Sequence, residues 1–314
     1  MPAEVLILGI DGGGSKTVAL LAAVAPTGPP AAIGRGASGA VNIQSVGTAT
    51  ALENLDHAVA TAFRDARIEP GKIAAAVLCL AGSAREENQR VFRSWADNRA
   101  LAERFEITSD ALPVLAAASP EGWGVALISG TGSFAFGRNA AGSSARSGGW
   151  GFLFGDEGSG YWIALAALRA VAQAADGRGP QTRLVETVLE RLGIRTPQEL
   201  VSAVYPNAAD RAWIASMAEL VVEADREQDE IARTILDDAA SQLAAMVAAV
   251  AYRLDFADRA FPLGLAGGVI LRGGMTDRLK AQLRRRDLCP SALHPVPEPV
   301  TGAVKLAYDL VRAE

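Results

Sequence analysis

The chain has 314 residues, half of them hydrophobic, so two domain-sized cores are expected rather than a disordered or fibrous chain. Its formal net charge of −5 argues against nucleic acid as the main partner, because phosphate backbones are bound through basic faces. The basic cluster Arg284-Arg285-Arg286 reads as a solvated helix terminus, and no apolar stretch is expected to reach the roughly 18 residues that a membrane span needs.

Residues 5–9 form a continuous apolar run, the mark of a buried strand. Gly12-Gly13-Gly14 breaks it, and apolar runs at 18–24 and 31–34 follow, so the chain opens as strand, glycine turn, strand, strand. Helical periodicity covers 48–66, a strand covers 73–80, and a helix is expected over 85–99. A short strand at 105–108 ends at Ser109-Asp110, ahead of a short helix over 111–118. Residues 119–122, Ser-Pro-Glu-Gly, read as a linker. The order then restarts: a strand at 125–129, the turn Gly130-Thr131-Gly132, and a return strand at 133–137. A helix over 158–175 and several more run to about 254. A strand at 262–266 is stopped by Gly267-Gly268, and helices are expected over 275–286 and 301–312. Two β-rich halves, each opening on a glycine turn, suggest an internal repeat.

The first turn fits neither of the two familiar glycine-loop motifs. A phosphate loop of the Walker type ends Gly-Lys-Ser/Thr and opens a helix; here Ser15 precedes Lys16 and an apolar strand pattern follows. A dinucleotide fingerprint needs glycine where Thr17 stands. The remaining reading is a phosphate-binding hairpin. Gly12, Gly13 and Gly14 let backbone N–H groups approach a polyphosphate, Ser15 and Lys16 add a hydroxyl and a cation, and Asp11 is placed to hold Mg²⁺ through water. An ordinary tight turn is the plain alternative. Asp110 has two readings by position: an N-cap of the helix after it, or a catalytic carboxylate at a strand end. Asp156 and Glu157 could likewise cap the helix that follows, and Trp150 could be core or an apolar face for a sugar ring.

Cys79 and Cys289 have no Cys or His at metal-ligand spacing, which suggests a reduced, cytoplasmic chain with Cys79 as a small core residue. The N-terminus carries Glu4 and no basic region before its apolar run, unlike a signal peptide. His57 and His294 have no partner at catalytic spacing and read as structural.

The segments Gly9-Ile10-Asp11-Gly12-Gly13-Gly14-Ser15-Lys16-Thr17, Thr108-Ser109-Asp110-Ala111, Ser129-Gly130-Thr131-Gly132-Ser133, Gly148-Gly149-Trp150-Gly151, Gly155-Asp156-Glu157-Gly158-Ser159 and Leu265-Ala266-Gly267-Gly268-Val269 occur in this order. Together they resemble the N-acetylglucosamine kinase branch of the BadF/BadG/BcrA/BcrD ATPase family, within the actin, Hsp70 and sugar kinase superfamily, across essentially the whole chain. The resemblance implies an α/β fold of two ribonuclease-H-like (actin-like ATPase) domains around a central cleft. The domains would be residues 1–118, with the C-terminal helix 301–314 packing back on them, and 119–300. It implies an ATP-dependent kinase, with Mg²⁺, acting on the primary (6-) hydroxyl of an amino sugar, most simply N-acetylglucosamine; glucosamine and N-acetylmuramic acid are the alternatives.

Carried over residue by residue, Asp110 matches the catalytic aspartate, which also touches the sugar. Ser15 and Thr131 match contacts to the ATP phosphates; Gly130 and Gly132 flank Thr131 in the second glycine turn, and Gly267 and Gly268 match a pair beside the adenosine. Asn42, Ser133, Gly149, Trp150 and Asp156 match sugar contacts. Phe134 departs from the pattern: animal N-acetylglucosamine kinases carry a polar residue there, so the exact sugar is open. A reductase-activating ATPase of the wider family would need two closely spaced cluster cysteines, which Cys79 and Cys289 do not offer. A sugar or nucleotide sensor without kinase activity is the other rival; the first strand begins within five residues, which leaves no room ahead of it for a DNA-binding segment. Partners are expected to be the sugar and ATP, not nucleic acid or membrane, and family analogy suggests a homodimer.

Overall fold

The computed structural model describes residues 5–256 and 259–313; Glu4 lies outside the described residues. In chain order the elements are β1 (Val5–Gly12), β2 (Thr17–Val24), β3 (Ala31–Ser38), α1 (Ile43–Val46), α2 (Thr48–Ala66), β4 (Ile73–Leu80), α3 (Glu86–Asn98), β5 (Ala102–Thr108) and α4 (Leu112–Ala118). Then come β6 (Gly124–Ser129), β7 (Ser133–Arg138), β8 (Ser144–Gly148), α5 (Gly160–Ala175), α6 (Leu184–Leu192), α7 (Leu200–Val204), α8 (Arg211–Ser216), α9 (Ala218–Arg226) and α10 (Glu230–Arg253). The chain ends with β9 (Pro262–Ala266), α11 (Met275–Arg284), β10 (Ala292–Pro295) and α12 (Val300–Arg312). It divides into two compact units, Met1–Ala126 with Val296–Glu314, and Leu127–Pro295.

The first unit is built on a five-stranded sheet of order β3-β2-β1-β4-β5. β1, β2 and β3 form an antiparallel meander, and β4 and β5 run parallel to β1. Alternation along β1 sends Leu8 and Ile10 into one core and Ile7 into another. The first core is closed by α2, which presents Ala51, Leu55, Ala58, Ala62 and Phe63 at helical spacing, and by Phe92, Trp95 and Ala96 of α3. The second is closed by α12, through Val300, Ala303, Val304 and Ala307. Glycine permits the closest approaches. A Cβ on Gly9 would sit 2.4 Å from the Val304 backbone nitrogen, and one on Gly302 only 1.8 Å from the Pro113 carbonyl oxygen. Lys305 fastens α12 further, its Nζ donating to the carbonyls of Ala116, Ser119 and Pro120 at the end of α4.

The second unit repeats the plan. Its sheet has the order β10-β9-β6-β7-β8, so β6, β7 and β8 take the places of β1, β2 and β3, and β9 and β10 those of β4 and β5. β7 and β8 are antiparallel and β9 and β10 parallel. This is the ribonuclease-H-like α/β arrangement, made twice. The strands β8 and β10 are absent from the sequence reading, since Ser144–Gly148 is mostly polar and Ala292–Pro295 is short and ends in proline. Helix α10 is long and apolar enough to cross a membrane by length and composition, with a mean hydropathy of 1.3 over its most apolar window, contrary to the expectation that no stretch reaches that length. Most of that window is buried, from Ile235 and Leu236 to Val250, and it serves as the core helix of this unit. Asp229 caps it, accepting from the Ala232 and Arg183 amides and the Thr182 hydroxyl.

Candidate active site

In the first unit, β1 does not stop at Gly9 as the apolar run suggests. It continues through Asp11 to Gly12, which pairs with Thr17 of β2. The turn is therefore tighter than the triple glycine implies, closed by the Gly13 amide donating to the Lys16 carbonyl at 2.9 Å. None of Gly12, Gly13 and Gly14 adopts positive φ. Glycine serves here by lacking a side chain: a Cβ on Gly12 would meet Val41 at 2.4 Å and Leu80 at 2.8 Å, and Gly14 faces open space. Two further loops join the hairpin. The Val41 amide donates to the Gly13 carbonyl, the Ala81 amide to the Gly12 carbonyl, and the Thr17 hydroxyl to the Gly39 carbonyl. Asn42 is thereby brought beside the turn, where its side chain caps α1 through the Gln44 amide.

Asp11 stands in register with Cys79 on β4, and Cys79 with Thr108 on β5, so the end of the sheet gathers Asp11, Cys79 and, two residues beyond Thr108, Asp110. Burial of the Asp11 carboxyl and the neighbouring charge of Asp110 raise its pKa to about 7, against the pull of Lys16. Burial, together with Asp11, Asp110 and Glu106, pushes the Cys79 thiol well up, which keeps it an unreactive core residue. The capping reading of Asp110 fails. The N-cap of α4 is Ala111, without a side-chain cap; Ser109 Oγ accepts from the Ala111 amide and donates to Asp110 Oδ1.

In the second unit, three separated motifs are bonded into one cluster. The Gly130 amide donates to the Gly132 carbonyl, closing the second glycine turn around Thr131. The Ser129 hydroxyl donates to the Gly158 carbonyl and the Gly160 amide to the Gly130 carbonyl, which fixes the Gly155–Ser159 segment against that turn. Gly267 lies on its other side at φ +103°, where a Cβ would be 2.2 Å from the Ser129 carbonyl oxygen, and the amide of Val269, beyond Gly268, donates to that same oxygen. Asp156 is 6% exposed, adopts a left-handed φ of 58°, and accepts from the Ser133 amide. It is not a helix cap; Ser159 caps α5 through the Trp162 amide. The Ser133 hydroxyl donates to the Glu157 carbonyl, and the Gly149 amide to the Ser133 carbonyl. Burial raises the Asp156 pKa, opposed by the Ser133 amide, Arg211 and Arg146. Trp150 is 73% exposed, which removes the core reading, and Leu153 and Phe154 beside it are as exposed.

Two residues absent from the sequence reading belong to this cluster. Arg211 stacks on Phe152, and Arg146 stacks on Phe134 with its guanidinium 4.9 Å from the ring centre while Nη2 donates to the Gly149 carbonyl. No motif marks either arginine; only the pairing of β7 with β8 brings Arg146 to Phe134. His57 lies exposed on α2, and His294 is half-buried on β10. Among the described residues no group of three or more His, Cys, Asp or Glu side chains could cage a metal.

The chain is similar along its length to proteins of known name. It is 32% identical over 317 residues to the N-acetyl-D-glucosamine kinase of Dictyostelium discoideum, covering 97% of this chain and 98% of that one. It is 35% identical over 190 residues to an N-acetylmuramic acid/N-acetylglucosamine kinase of Clostridium acetobutylicum, covering 60% and 62%. A solved structure from Chromobacterium violaceum, provisionally assigned as an N-acetylglucosamine kinase, superposes with a TM-score of 0.74 at 26% identity, over 96% of this chain and 99% of that one. With a family model matching residues 8–307, the chain belongs to the BadF/BadG/BcrA/BcrD ATPase family.

Proposed function

We propose that the protein is an ATP-dependent amino-sugar kinase, with N-acetylglucosamine as acceptor and its primary (6-) hydroxyl as the nucleophile. The observation that carries this reading is Asp110. It lies two residues beyond the end of β5, does not cap the helix after it, and is within electrostatic reach of a second, buried carboxyl. The full-length similarity to the Dictyostelium kinase supports it. Asp110 takes the proton of the sugar hydroxyl as that oxygen bonds to the γ-phosphorus and the bond from phosphorus to the ADP oxygen breaks. Gly12, Gly13, Gly14, Ser15 and Lys16 in the first unit, and Gly130, Thr131, Gly132, Gly267 and Gly268 in the second, take the nucleotide. Asn42, Asp110, Ser133, Gly149, Trp150 and Asp156 take the sugar, with the Asp156 carboxylate accepting from a ring hydroxyl.

Asp11 fits Mg²⁺. A carboxyl held near pH 7 by burial and a neighbouring acid gains most when a cation joins the pair, and Mg²⁺ needs only one or two carboxylates when phosphates and water complete its shell. The ion would neutralise phosphate charge. The test is ADP release from ATP over a panel of N-acetylglucosamine, glucosamine, N-acetylmuramic acid and neutral hexoses, with the product's phosphate located by NMR. Turnover of N-acetylglucosamine to its 6-phosphate is expected; turnover of non-sugar alcohols alone would overturn the proposal. No iron and no visible absorption band are expected.

A further inference from the structure

Phe134 presents a contradiction within the proposed sugar site. It follows Ser133 on β7, where a hydrogen-bonding side chain would serve a sugar, and it offers only a ring. The structure supplies the missing polarity from the next strand. Arg146 of β8 reaches across to lay its guanidinium on that ring, with one Nη donating to the Gly149 carbonyl. Arg146 is exposed and covers Phe134, which is 9% exposed, and its bonded partner Gly149 immediately precedes the exposed Trp150.

Two features separate this arginine from a simple latch. A neutral donor would hold the Gly149 carbonyl equally well. Among the described residues Arg146 also makes no ion pair, unlike Arg35, Arg99, Arg178, Arg183, Arg233, Arg272 and Arg278. A guanidinium held over an aromatic face, with part of its N–H fork uncommitted, is the group that pairs bidentately with a carboxylate. Of the neighbouring groups Asp156 feels this charge, which lowers its pKa, but makes no ion pair with it among the described residues. Arg253 donates to the Arg146 backbone carbonyl, Arg211 adds a second positive charge near Asp156, and Asp156 itself is turned to the Ser133 amide.

We infer that Arg146 is a specificity-determining residue that admits an amino sugar bearing a carboxylate substituent on its ring, paired to the guanidinium over Phe134. This rests on the amino-sugar kinase reading above and deepens it. A neutral sugar would use the same contacts without the pair.

The test uses the whole protein and three acceptors: N-acetylglucosamine, N-acetylmuramic acid, which adds a lactyl ether ending in a carboxylate, and the carboxamide of the latter, which keeps its shape without its charge. In the wild type, kcat/KM for the acid should exceed that for the carboxamide by about 10–100-fold, the worth of one charge-assisted pair, and the ratio should shrink as salt is added. In Arg146→Gln the ratio should fall towards one, while Arg146→Lys should keep most of it. Equal turnover of acid and carboxamide by the wild type overturns the inference even if Arg146→Gln fails to fold, and leaves the kinase reading standing on N-acetylglucosamine. A ratio unchanged in a folded Arg146→Gln also overturns it. Turnover of none of the three overturns both readings.

Discussion

Asp110 and Asp11 oppose each other at the end of the first sheet: the charge of Asp110, added to burial, holds the Asp11 carboxyl protonated up to about pH 7. Such a pair is poorly suited to stabilising the fold and well suited to receiving a cation and a proton. In the folded chain Asp11 binds its proton more tightly than the ordinary aspartate value of about 3.9. Between those two values the folded state carries more protons than the unfolded one, so this group's contribution to stability falls as pH rises through that window. Asp11→Asn should therefore melt above the wild type at pH 8 without Mg²⁺, and the difference should narrow as pH is lowered towards 5. Differential scanning calorimetry across pH checks this, and equal melting at pH 8 would count against the buried repulsion.

Asp110→Asn keeps the shape of the side chain and removes its ability to take a proton. It should lower kcat by about 10²–10⁴-fold, the usual worth of a positioned base, with a smaller change in KM for the sugar. Near-normal turnover by a normally folded variant would remove Asp110 from the role of base.

Asp229 offers the opposite pH behaviour. Burial works against its charge, yet the amides of Ala232 and Arg183 and the Thr182 hydroxyl hold its pKa below the ordinary value. Its stabilisation is present above the unfolded value of about 3.9 and is lost as pH falls through the lowered one. Asp229→Ala should cost about 2 kcal/mol at neutral pH, measured by urea unfolding, with activity of the folded fraction retained.

Gly302 tests the packing of the last helix. The space beneath it is filled by the Pro113 carbonyl, so even Gly302→Ala forces α12 away from α4. A loss of about 3 kcal/mol is expected. Because α4 begins just after Asp110, kcat should fall as well; a variant with wild-type stability and turnover would show that this contact is not needed.

Much of the candidate site was legible because its pieces are local. Glycine turns, the strand ends beside them and Gly155–Ser159 are written in consecutive residues, and hydrophobic runs such as Ile73–Leu80 are continuous because both faces of that strand are covered. The weaker strands were not legible: Ser144–Gly148 has little apolar pattern and is a strand because β7 offers it hydrogen bonds. The ambiguous carboxylates shared that limit. Asp110 and Asp156 both precede helices, and Asp is a good cap, so position alone could not separate capping from chemistry.

By itself, then, the chain's local order determined two β-rich halves, each opening on a glycine turn, with Asp110 and Asp156 set just ahead of helices. The tertiary structure alone decided that Ser159 and Ala111, not Asp156 and Asp110, occupy the cap positions, that Trp150 is exposed, and that Arg146 lies over Phe134. The reason is physical. Backbone propensity and periodicity act over a few residues, whereas a carboxyl's proton affinity and an arginine's partner depend on groups brought close by strand pairing from elsewhere in the chain.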